Sequence, residues 1–187
     1  MKIYQVGGAI RDELLGEVPK DKDWLVVGSS PEEMITEGYK PIGKDFTVFI
    51  HPISKEEYAL ARTEKKSGYG YKGFNIYFGK DVTVEEDLSR RDYTLNAIAK
   101  DQDGKLIDPF NGIEDINRKI FRHVSDAFLE DPLRAIRIAR FKTYTHLKDC
   151  KIDDSTKEML LKISDSRELE TLYKNRVWID MERTFRN

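Results

Sequence analysis

The pattern of residues changes near Arg122, and this change constrains the fold more than any other feature of the sequence. Before it, short apolar runs rich in β-branched and aromatic residues alternate with Gly, Pro and Asp, as in strands bounded by turns. From Ser125 onward the spacing is helical, and the last of the six prolines is Pro132, so no proline interrupts a later helix. We therefore predict an α+β domain over residues 1–122 and a small all-helical domain over residues 123–187.

Individual runs predict the elements of these two parts. SSPEEMITEG carries a capping box of Ser30 and Glu33 with Pro31 at the first helical position, which predicts a helix that stops at Gly38. Further helices are predicted from helical spacing at 9–16, 133–147, 155–163 and 166–185. Strands are predicted for KIYQV (2–6), WLVVG (24–28), FTVFI (46–50), EYALA (57–61), FNIYF (74–78) and KLIDP (105–109).

Composition excludes several classes of protein. No apolar run approaches the roughly 20 residues of a membrane-spanning helix, and the N-terminus lacks the regions of a signal peptide, so we expect a cytoplasmic protein without a membrane partner. The single cysteine, Cys150, cannot form an internal disulfide, and with His51, His123 and His146 it has no zinc-ligand spacing. The formal net charge of -2 argues against a generic polyanion binder, so contacts with nucleic acid require local basic patches.

Two aspartates, Asp21 and Asp23, stand one residue apart where an apolar strand is predicted to begin. In an extended strand both point to the same face, which Leu25 continues, and their charges repel unless a cation offsets them. A hard divalent cation such as Mg²⁺ prefers carboxylate oxygens, so the pair is a candidate metal site. Glu57, at the start of another predicted strand, is a candidate third carboxylate. The structural alternatives are a solvated turn for the pair and an exposed strand end for Glu57.

A glycine turn precedes this pair in VGGAIRD. Gly7 and Gly8 lie between a predicted strand and a helix, where glycine lets backbone N–H groups approach an anion, and Arg11 in the first turn is placed to contact the same phosphate. With Gly16 the spacing does not match the G-x-G-x-x-G fingerprint of dinucleotide-binding proteins. The alternative is a tight strand-to-helix connection.

Three basic segments are candidates for binding an anionic substrate. TEKKSGYGYKGFN is rich in Gly, Lys and Ser, which predicts a mobile loop that closes on the substrate or, alternatively, a solvated charge run. In SRRDYTLNA the paired guanidinium groups suit a triphosphate, although a surface helix also carries such charges. In EDPLRAIRIARF an aspartate and three arginines recur every three residues along a predicted helix, a stripe that is otherwise explained as a solvated surface paired with acids. The residues are Lys65, Lys66 and Lys72; Arg90, Arg91, Asp92 and Asn96; and Asp131, Arg134, Arg137 and Arg140.

Four segments in this order, VGGAIRD, DKDWLVVG, RRDYTLNA and EDPLRAIRIARF, together with GKDFTVFIHP and EYALARTE, resemble the bacterial CCA-adding enzymes. These are tRNA nucleotidyltransferases of the class that also contains bacterial poly(A) polymerases. The resemblance covers essentially the whole chain. It implies a nucleotidyltransferase head of the polymerase-β type with a mixed sheet, followed by a helical neck.

The resemblance also implies roles for single residues. Asp21 and Asp23 match the metal-binding pair of the family, and Glu57 matches a third catalytic acid less closely. Asp131 and Arg134 match the pair that recognises the base. Positions that match or adjoin the family's nucleotide contacts are Gly7, Gly8, Arg11, Arg91, Asp92, Asn96, Arg137 and Arg140.

The implied reaction is Mg²⁺-dependent addition of C and A, from CTP and ATP, to the 3′ end of tRNA with release of pyrophosphate. An Asp acceptor beside an Arg donor pairs with the amino group and ring nitrogen shared by cytosine and adenine, and it loses both contacts with guanine and uracil. No DNA partner is expected, and the sequence leaves the oligomeric state open. The alternatives are partial addition of CC or A only, poly(A)-type addition, or a nucleotide- or RNA-binding module without turnover.

Family members usually continue into helical body and tail domains that hold the tRNA, and these are expected to be absent from this chain. Close bacterial relatives often add a metal-dependent phosphohydrolase domain. This sequence contains no His-Asp dipeptide, so we expect no phosphohydrolase activity.

Overall fold

The centre of the structure, a computed structural model that describes residues 1–43, 47–66 and 74–185, is a mixed sheet of seven strands. The strands of the described residues are β1 (Lys2–Val6), β2 (Asp23–Val27), β3 (Lys40–Ile42), β4 (Val48–Ile50), β5 (Glu57–Leu60), β6 (Arg62–Lys66), β7 (Phe74–Phe78), β8 (Ala99–Lys100), β9 (Leu106–Ile107), β10 (Ile120–Phe121) and β11 (Lys151–Ile152). The α-helices are α1 (Gly8–Leu14), α2 (Pro31–Thr36), α3 (Val84–Ser89), α4 (Gly112–Asn117), α5 (Leu133–Phe141), α6 (Asp154–Asp165) and α7 (Lys174–Phe185).

The strands of the sheet lie in the order β3-β4-β5-β2-β1-β8-β9. At its centre β2 runs antiparallel to β1, with Leu25 opposite Tyr4, and parallel to β5, with Asp23 opposite Glu57. Because side chains alternate along a strand, Leu25 and Val26 enter separate apolar clusters. Both faces of the central strand are therefore buried, and its first residue, Asp23, is left exposed.

Most predicted strands of the first part are confirmed. The capping box of Ser30 and Glu33 is also confirmed, and Gly38 follows α2 with a φ of 88°, a conformation that favours glycine. A second capping box, between Thr83 and Glu86, begins α3 and was not predicted. For the run FTVFI the structure places a strand at Val48–Ile50, while residues 44–46 lie outside the described part of the chain.

The loop predicted for TEKKSGYGYKGFN is wrong at its N-terminal end, while at its C-terminal end the strand predicted for FNIYF is confirmed. Residues Arg62–Lys66 form β6, which pairs antiparallel with β7 over five residues. The backbone N–H and C=O groups of β6 are paired with those of β7. The segment therefore forms a strand although lysine has a low strand propensity, because this propensity depends strongly on the neighbouring strand. Residues 67–73, which include Lys72, lie outside the described residues.

The second part is mainly helical, but the prediction that it is entirely helical is wrong. The helix predicted over 133–147 ends at Phe141, and the one predicted over 166–185 is divided into a 3-10 turn, Glu168–Thr171, and α7. Between them β11 pairs in parallel with β10, because the Lys151 N–H donates to the carbonyl of Lys119 at 2.8 Å. A partner strand from the first part therefore determines the structure of this segment, which lies between two predicted helices.

One apolar core extends across residue 122. The fully buried ring of Tyr93 packs edge-on against Phe121, Phe128 and Phe141, with ring centres 5.4, 5.4 and 5.9 Å away. The same cluster contains the free thiol of Cys150, whose pKa is raised by burial. The division into domains at residue 122 stays a prediction. No helix within the described ranges is both long enough and apolar enough to span a membrane.

Candidate functional site

An open cleft of about 2200 Å³ is lined by side chains from both parts of the chain. The side chains of Lys65, Lys66 and Lys72 lie outside the described part of the chain, but every residue that matches or adjoins a site position of the resembling family lies along the cleft. These residues are Gly7, Gly8, Arg11, Asp21, Asp23, Glu57, Arg91, Asp92, Asn96, Asp131, Arg134, Arg137 and Arg140.

The glycine turn allows a close approach between β1 and an arginine. Gly7 has a φ of 75°, which favours glycine, and its N–H donates to the carbonyl of Ile98 at 3.2 Å. A Cβ atom at this position would lie 2.9 Å from Nη1 of Arg91. Any larger residue at Gly7 would therefore strain the backbone and displace the Arg91 guanidinium.

The three candidate carboxylates line the cleft and are exposed. Asp23 begins β2 and stands opposite Glu57 of β5, whereas Asp21 lies in a bend before the strand. The prediction that a strand aligns both aspartates is therefore wrong, because strand pairing begins only at Asp23, opposite Val6. Within the described residues none of the three has a hydrogen bond or ion pair, and no group of three His, Cys, Asp or Glu side chains could hold a metal ion.

A buried chain of polar contacts connects α1 to α5. Nη1 of Arg11 donates to Oδ1 of Asn96 at 2.7 Å, and Nδ2 of Asn96 donates to Oδ1 of Asp92 at 3.1 Å. Oδ2 of Asp92 lies 3.0 Å from Nη1 of Arg137. Arg11, Asn96 and Asp92 are 3, 6 and 4% exposed, so the contacts are formed away from bulk water.

Asp92 is the one carboxylate in this chain of contacts, which also contains two guanidinium groups. Burial alone would raise the pKa of the Asp92 carboxyl, but the Arg137 guanidinium and the hydrogen bonds from Asn96 and the Tyr93 N–H together lower it. Asp92 is therefore ionised at neutral pH and holds Arg137 at the cleft. The Arg11 guanidinium is further fixed by the Phe141 ring, whose centre is 5.5 Å from its central carbon.

A fully buried aspartate orients the arginine pair of the RRD segment. Oδ1 of Asp87 lies 2.7 Å from Nη2 of Arg90, and Oδ2 of Asp87 lies 3.2 Å from Nη2 of Arg91. Burial opposes ionisation of Asp87, but the two guanidinium groups outweigh it and lower the pKa of this carboxyl. The sequence analysis missed Asp87, although its spacing of three and four residues from the arginines on a helix is typical of ion pairs.

The stripe on α5 is held by α7. The Asp131 carboxylate forms two contacts with Arg176, at 2.8 and 3.3 Å, and Nη1 of Arg140 lies 2.8 Å from Oδ1 of Asp180. Arg134 donates to the backbone carbonyls of Ala127 and Arg90, both at 2.5 Å.

These contacts correct one alternative for the stripe. Arg134 and Arg140 are 6 and 5% exposed, so these two arginines do not lie on a solvated surface, whereas the pairing with acids is confirmed for Arg137 with Asp92 and for Arg140 with Asp180. Burial lowers the pKa of the Arg140 guanidinium, and nearby Arg137 adds to this effect, so Asp180 is needed as a counter-charge. Sequence reasoning missed Arg176 and Asp180, because their partners are remote in the chain.

Two further residues line the cleft and were not predicted. Oδ1 of Asp12 accepts from Nε of Arg11 at 2.8 Å and lies 3.0 Å from Nε2 of His146. The contact with His146 joins α1 to the segment after α5. No motif in the sequence indicated them, because a lone Asp beside an Arg has no distinctive spacing.

Comparison with known proteins identifies a family for this chain. The family model described as the poly A polymerase head domain matches residues 3–122. The chain belongs to the poly A polymerase head-domain family. The resemblance inferred from the sequence motifs is thereby confirmed.

Curated relatives of this family member are longer than the chain itself. It is 55% identical over 183 residues to a CCA-adding enzyme of Actinobacillus succinogenes, and the match covers 98% of the chain and 46% of the relative. It is 56% identical over 183 residues to a multifunctional CCA protein of Shewanella frigidimarina, covering 98% of the chain and 44% of the relative. The chain thus spans just under half the length of these two relatives.

Solved structures share the fold of this family member. A crystal structure of the Bacillus stearothermophilus CCA-adding enzyme in complex with CTP has a TM-score of 0.79 at 31% identity, covering 97% of this chain and 44% of that chain. The Thermotoga maritima CCA-adding enzyme complexed with tRNA has a TM-score of 0.71 at 26% identity, covering 98% and 42%. The predicted α+β fold with a mixed sheet is confirmed.

Proposed function

We propose that this chain catalyses Mg²⁺-dependent addition of C and A, from CTP and ATP, to the 3′ end of tRNA, with release of pyrophosphate. The observation that carries the proposal is that exposed carboxylates without a partner among the described residues line the same cleft as buried, oriented arginines. The names of the relatives, CCA-adding enzyme and multifunctional CCA protein, support the same reaction. Residues 1–122 act as the nucleotidyltransferase head and residues 123–187 as the neck.

Asp21 and Asp23 fit a hard divalent cation. Their oxygens have no protein partner within the described residues, and a set of two carboxylates suits Mg²⁺, which keeps waters and substrate phosphates as its other ligands. Glu57 stands beside Asp23 and adds negative charge to the same edge of the sheet. Bound Mg²⁺ would lower the pKa of the primer hydroxyl and neutralise charge on the departing pyrophosphate.

The triphosphate is bound on the glycine-turn side of the cleft. The Gly7–Gly8 turn brings Arg91 close to the backbone, and Asp87 and Asn96 hold the guanidinium groups of Arg91 and Arg11 in place. Guanidinium groups fixed in this way lose little side-chain entropy when they bind phosphate oxygens. Arg137 and Arg140 extend the positive charge along α5.

The base is recognised by Asp131 and Arg134 on the neck side. An Asp oxygen accepts from the amino group of cytosine or adenine, and an Arg donates to the adjacent ring nitrogen. In guanine and uracil a carbonyl replaces the amino group and an N–H replaces the unprotonated ring nitrogen, so both contacts would be lost. Selection of C and A by these two side chains needs no nucleic-acid template.

The test is an extension assay with tRNA that ends before the CCA sequence, supplied with CTP, ATP and Mg²⁺. The wild type should extend the 3′ end by three nucleotides. The variant Asp21→Ala/Asp23→Ala should be slower by about 10³-fold, equivalent to roughly 4 kcal/mol of transition-state stabilisation. The matched control is Asp103→Ala/Asp165→Ala, which removes the same charge from two exposed sites outside the cleft and should keep the wild-type rate.

Other results would replace the proposal with a defined alternative. Equal extension by the Asp21→Ala/Asp23→Ala variant would exclude the carboxylates as the catalytic group. Primers ending in each partial tail, given CTP or ATP separately, distinguish CC-only, A-only and poly(A)-type addition. Binding of nucleotide without pyrophosphate release would indicate a binding module.

A further inference from the structure

Arg176 forms a two-point contact with the residue proposed to recognise the base. Its Nη2 lies 2.8 Å from Oδ2 of Asp131, and its Nη1 lies 3.3 Å from Oδ1. Oδ1 also accepts the Leu133 N–H at 3.1 Å. The Asp131 and Arg176 side chains are 22 and 23% exposed, and both residues line the cleft.

These contacts leave a defined part of the carboxylate for a ligand. An ionised carboxylate offers about four lone-pair sites. Within the described part of the chain, Oδ1 of Asp131 has two donors and Oδ2 has one, namely Nη2 of Arg176. One acceptor site, on Oδ2, therefore remains for a donor that enters the cleft.

The two-point contact also fixes the plane of the carboxylate. A lone Asp rotates freely about its last torsion, so its acceptor direction is poorly defined. A guanidinium that bonds both oxygens removes this freedom, because the two N–H groups form a rigid fork. The remaining acceptor site on Asp131 then points in one direction.

Arg176 is itself held on a helix that is anchored next to it. Asp180 lies four residues later on α7 and forms the ion pair with Arg140, in which both residues are 5% exposed. Residues four apart lie on the same helix face, so Arg176 and Asp180 bind the two ends of the α5 stripe from one side. A displacement of Arg176 would require this buried pair to move as well.

We propose that Arg176 is a positioning residue for base selection, which directs the free acceptor site of Asp131 toward the amino group of cytosine or adenine. The inference rests on the proposed function, and it adds a residue that neither the motifs nor the family resemblance assigned. Arg176 does not need to touch the nucleotide. Its effect should appear in the choice between nucleotides rather than in chemistry.

The test measures binding of CTP, ATP, UTP and GTP in Mg²⁺ by calorimetry, without primer. The wild type should bind CTP and ATP more tightly than UTP and GTP, and Arg176→Ala should reduce this preference about tenfold, the effect of about 1.4 kcal/mol in one contact. Arg176→Lys should restore it only in part, because an ammonium group cannot form the fork. Arg167→Ala, which removes an exposed arginine outside the cleft, should leave the preference unchanged.

A double-mutant cycle separates positioning through Asp131 from a general structural effect. If Arg176 acts through Asp131, Arg176→Ala should change the preference by less than about twofold in an Asp131→Asn background. An equal loss in both backgrounds, or an unchanged preference in Arg176→Ala, would overturn the inference. Circular dichroism of each variant identifies any that fails to fold, for which Arg176→Gln takes the place of Arg176→Ala.

The same experiment distinguishes failure of the proposed function. A wild type that binds all four nucleotides equally and does not extend tRNA would exclude the proposed function. A wild type that selects CTP and ATP, together with an Arg176→Ala variant that selects them equally well, would exclude only the role of Arg176.

Discussion

The carboxylates and the arginines that line the cleft are prepared in opposite ways. On the carboxylate side, Asp21, Asp23 and Glu57 are exposed and have no partner within the described residues. On the arginine side, Arg137 and Arg140 are held by Asp92 and Asp180. The arginine side is thus organised by the protein before a ligand arrives, whereas the carboxylate side gains its counter-charge only with a cation. Replacements of the residues that hold the arginines should alter stability, and replacements of the carboxylates should alter activity.

The largest stability effect is expected for Asp180→Ala. It leaves the Arg140 guanidinium buried without its counter-charge, so the free energy of unfolding should fall by about 3–5 kcal/mol. Denaturant titration followed by circular dichroism measures the change. Lys157→Ala, which breaks an exposed ion pair with Asp154, is the control and should have no measurable effect.

On the carboxylate side, Asp21→Ala/Asp23→Ala should keep the wild-type stability in the same titration. A stability loss there equal to that of Asp180→Ala would remove the distinction between the two sides.

A smaller effect is expected for Asn96→Ala, which interrupts the polar chain between Arg11 and Asp92. Each neighbour loses one hydrogen bond in a buried site, so the free energy of unfolding should fall by about 1–3 kcal/mol. The affinity for nucleotide should also fall, because Arg11 is no longer fixed. Asn117→Ala, at an exposed position on α4, is the matched control. A wild-type stability with Asn96→Ala would show that the chain is not needed to organise this side.

The smallest effect is the acid dependence of stability. Asp87 and Asp92 have folded-state pKa values below the ordinary value of 3.8, because neighbouring guanidinium groups outweigh burial. A lowered folded-state pKa contributes stability that is complete above the unfolded-state value and is lost as the pH falls through the folded-state value. These groups should therefore add no pH dependence between pH 5 and 7, and the free energy of unfolding should decrease below about pH 4.

Replacement of one of these aspartates checks the assignment. Asp87→Asn should reduce the acid dependence, measured as the free energy of unfolding against pH. An undiminished dependence in this variant would assign the acid transition to other groups.

The fold was predicted where local signals determine it. The capping box of Ser30 and Glu33 and the apolar runs of β1, β2 and β5 each contain their own evidence for an element. β11 and β6 were missed, because their backbone groups are satisfied by strands elsewhere in the chain. Strand formation in such segments depends on a partner that the local sequence does not reveal.

The candidate site was likewise predicted only where the signal is local in the sequence. The motifs indicated which residues line the cleft, since residue type and spacing are printed in the sequence. They did not indicate how those residues are held, because Asp180 and Arg176 lie 40 and 45 positions from Arg140 and Asp131. Asp87 was missed as well, although its helical spacing from Arg90 and Arg91 is a local signal that could have indicated it.

The aromatic rings that meet around Tyr93 have a consequence for how the molecule is assembled. Phe121 comes from before residue 122 and Phe128 and Phe141 from after it, so neither part can complete this cluster alone. The chain should therefore unfold in a single cooperative transition rather than in two steps. A destabilising replacement among the arginines and their partners would then raise the fraction of unfolded molecules. The fraction of molecules with a folded carboxylate site would fall by the same amount.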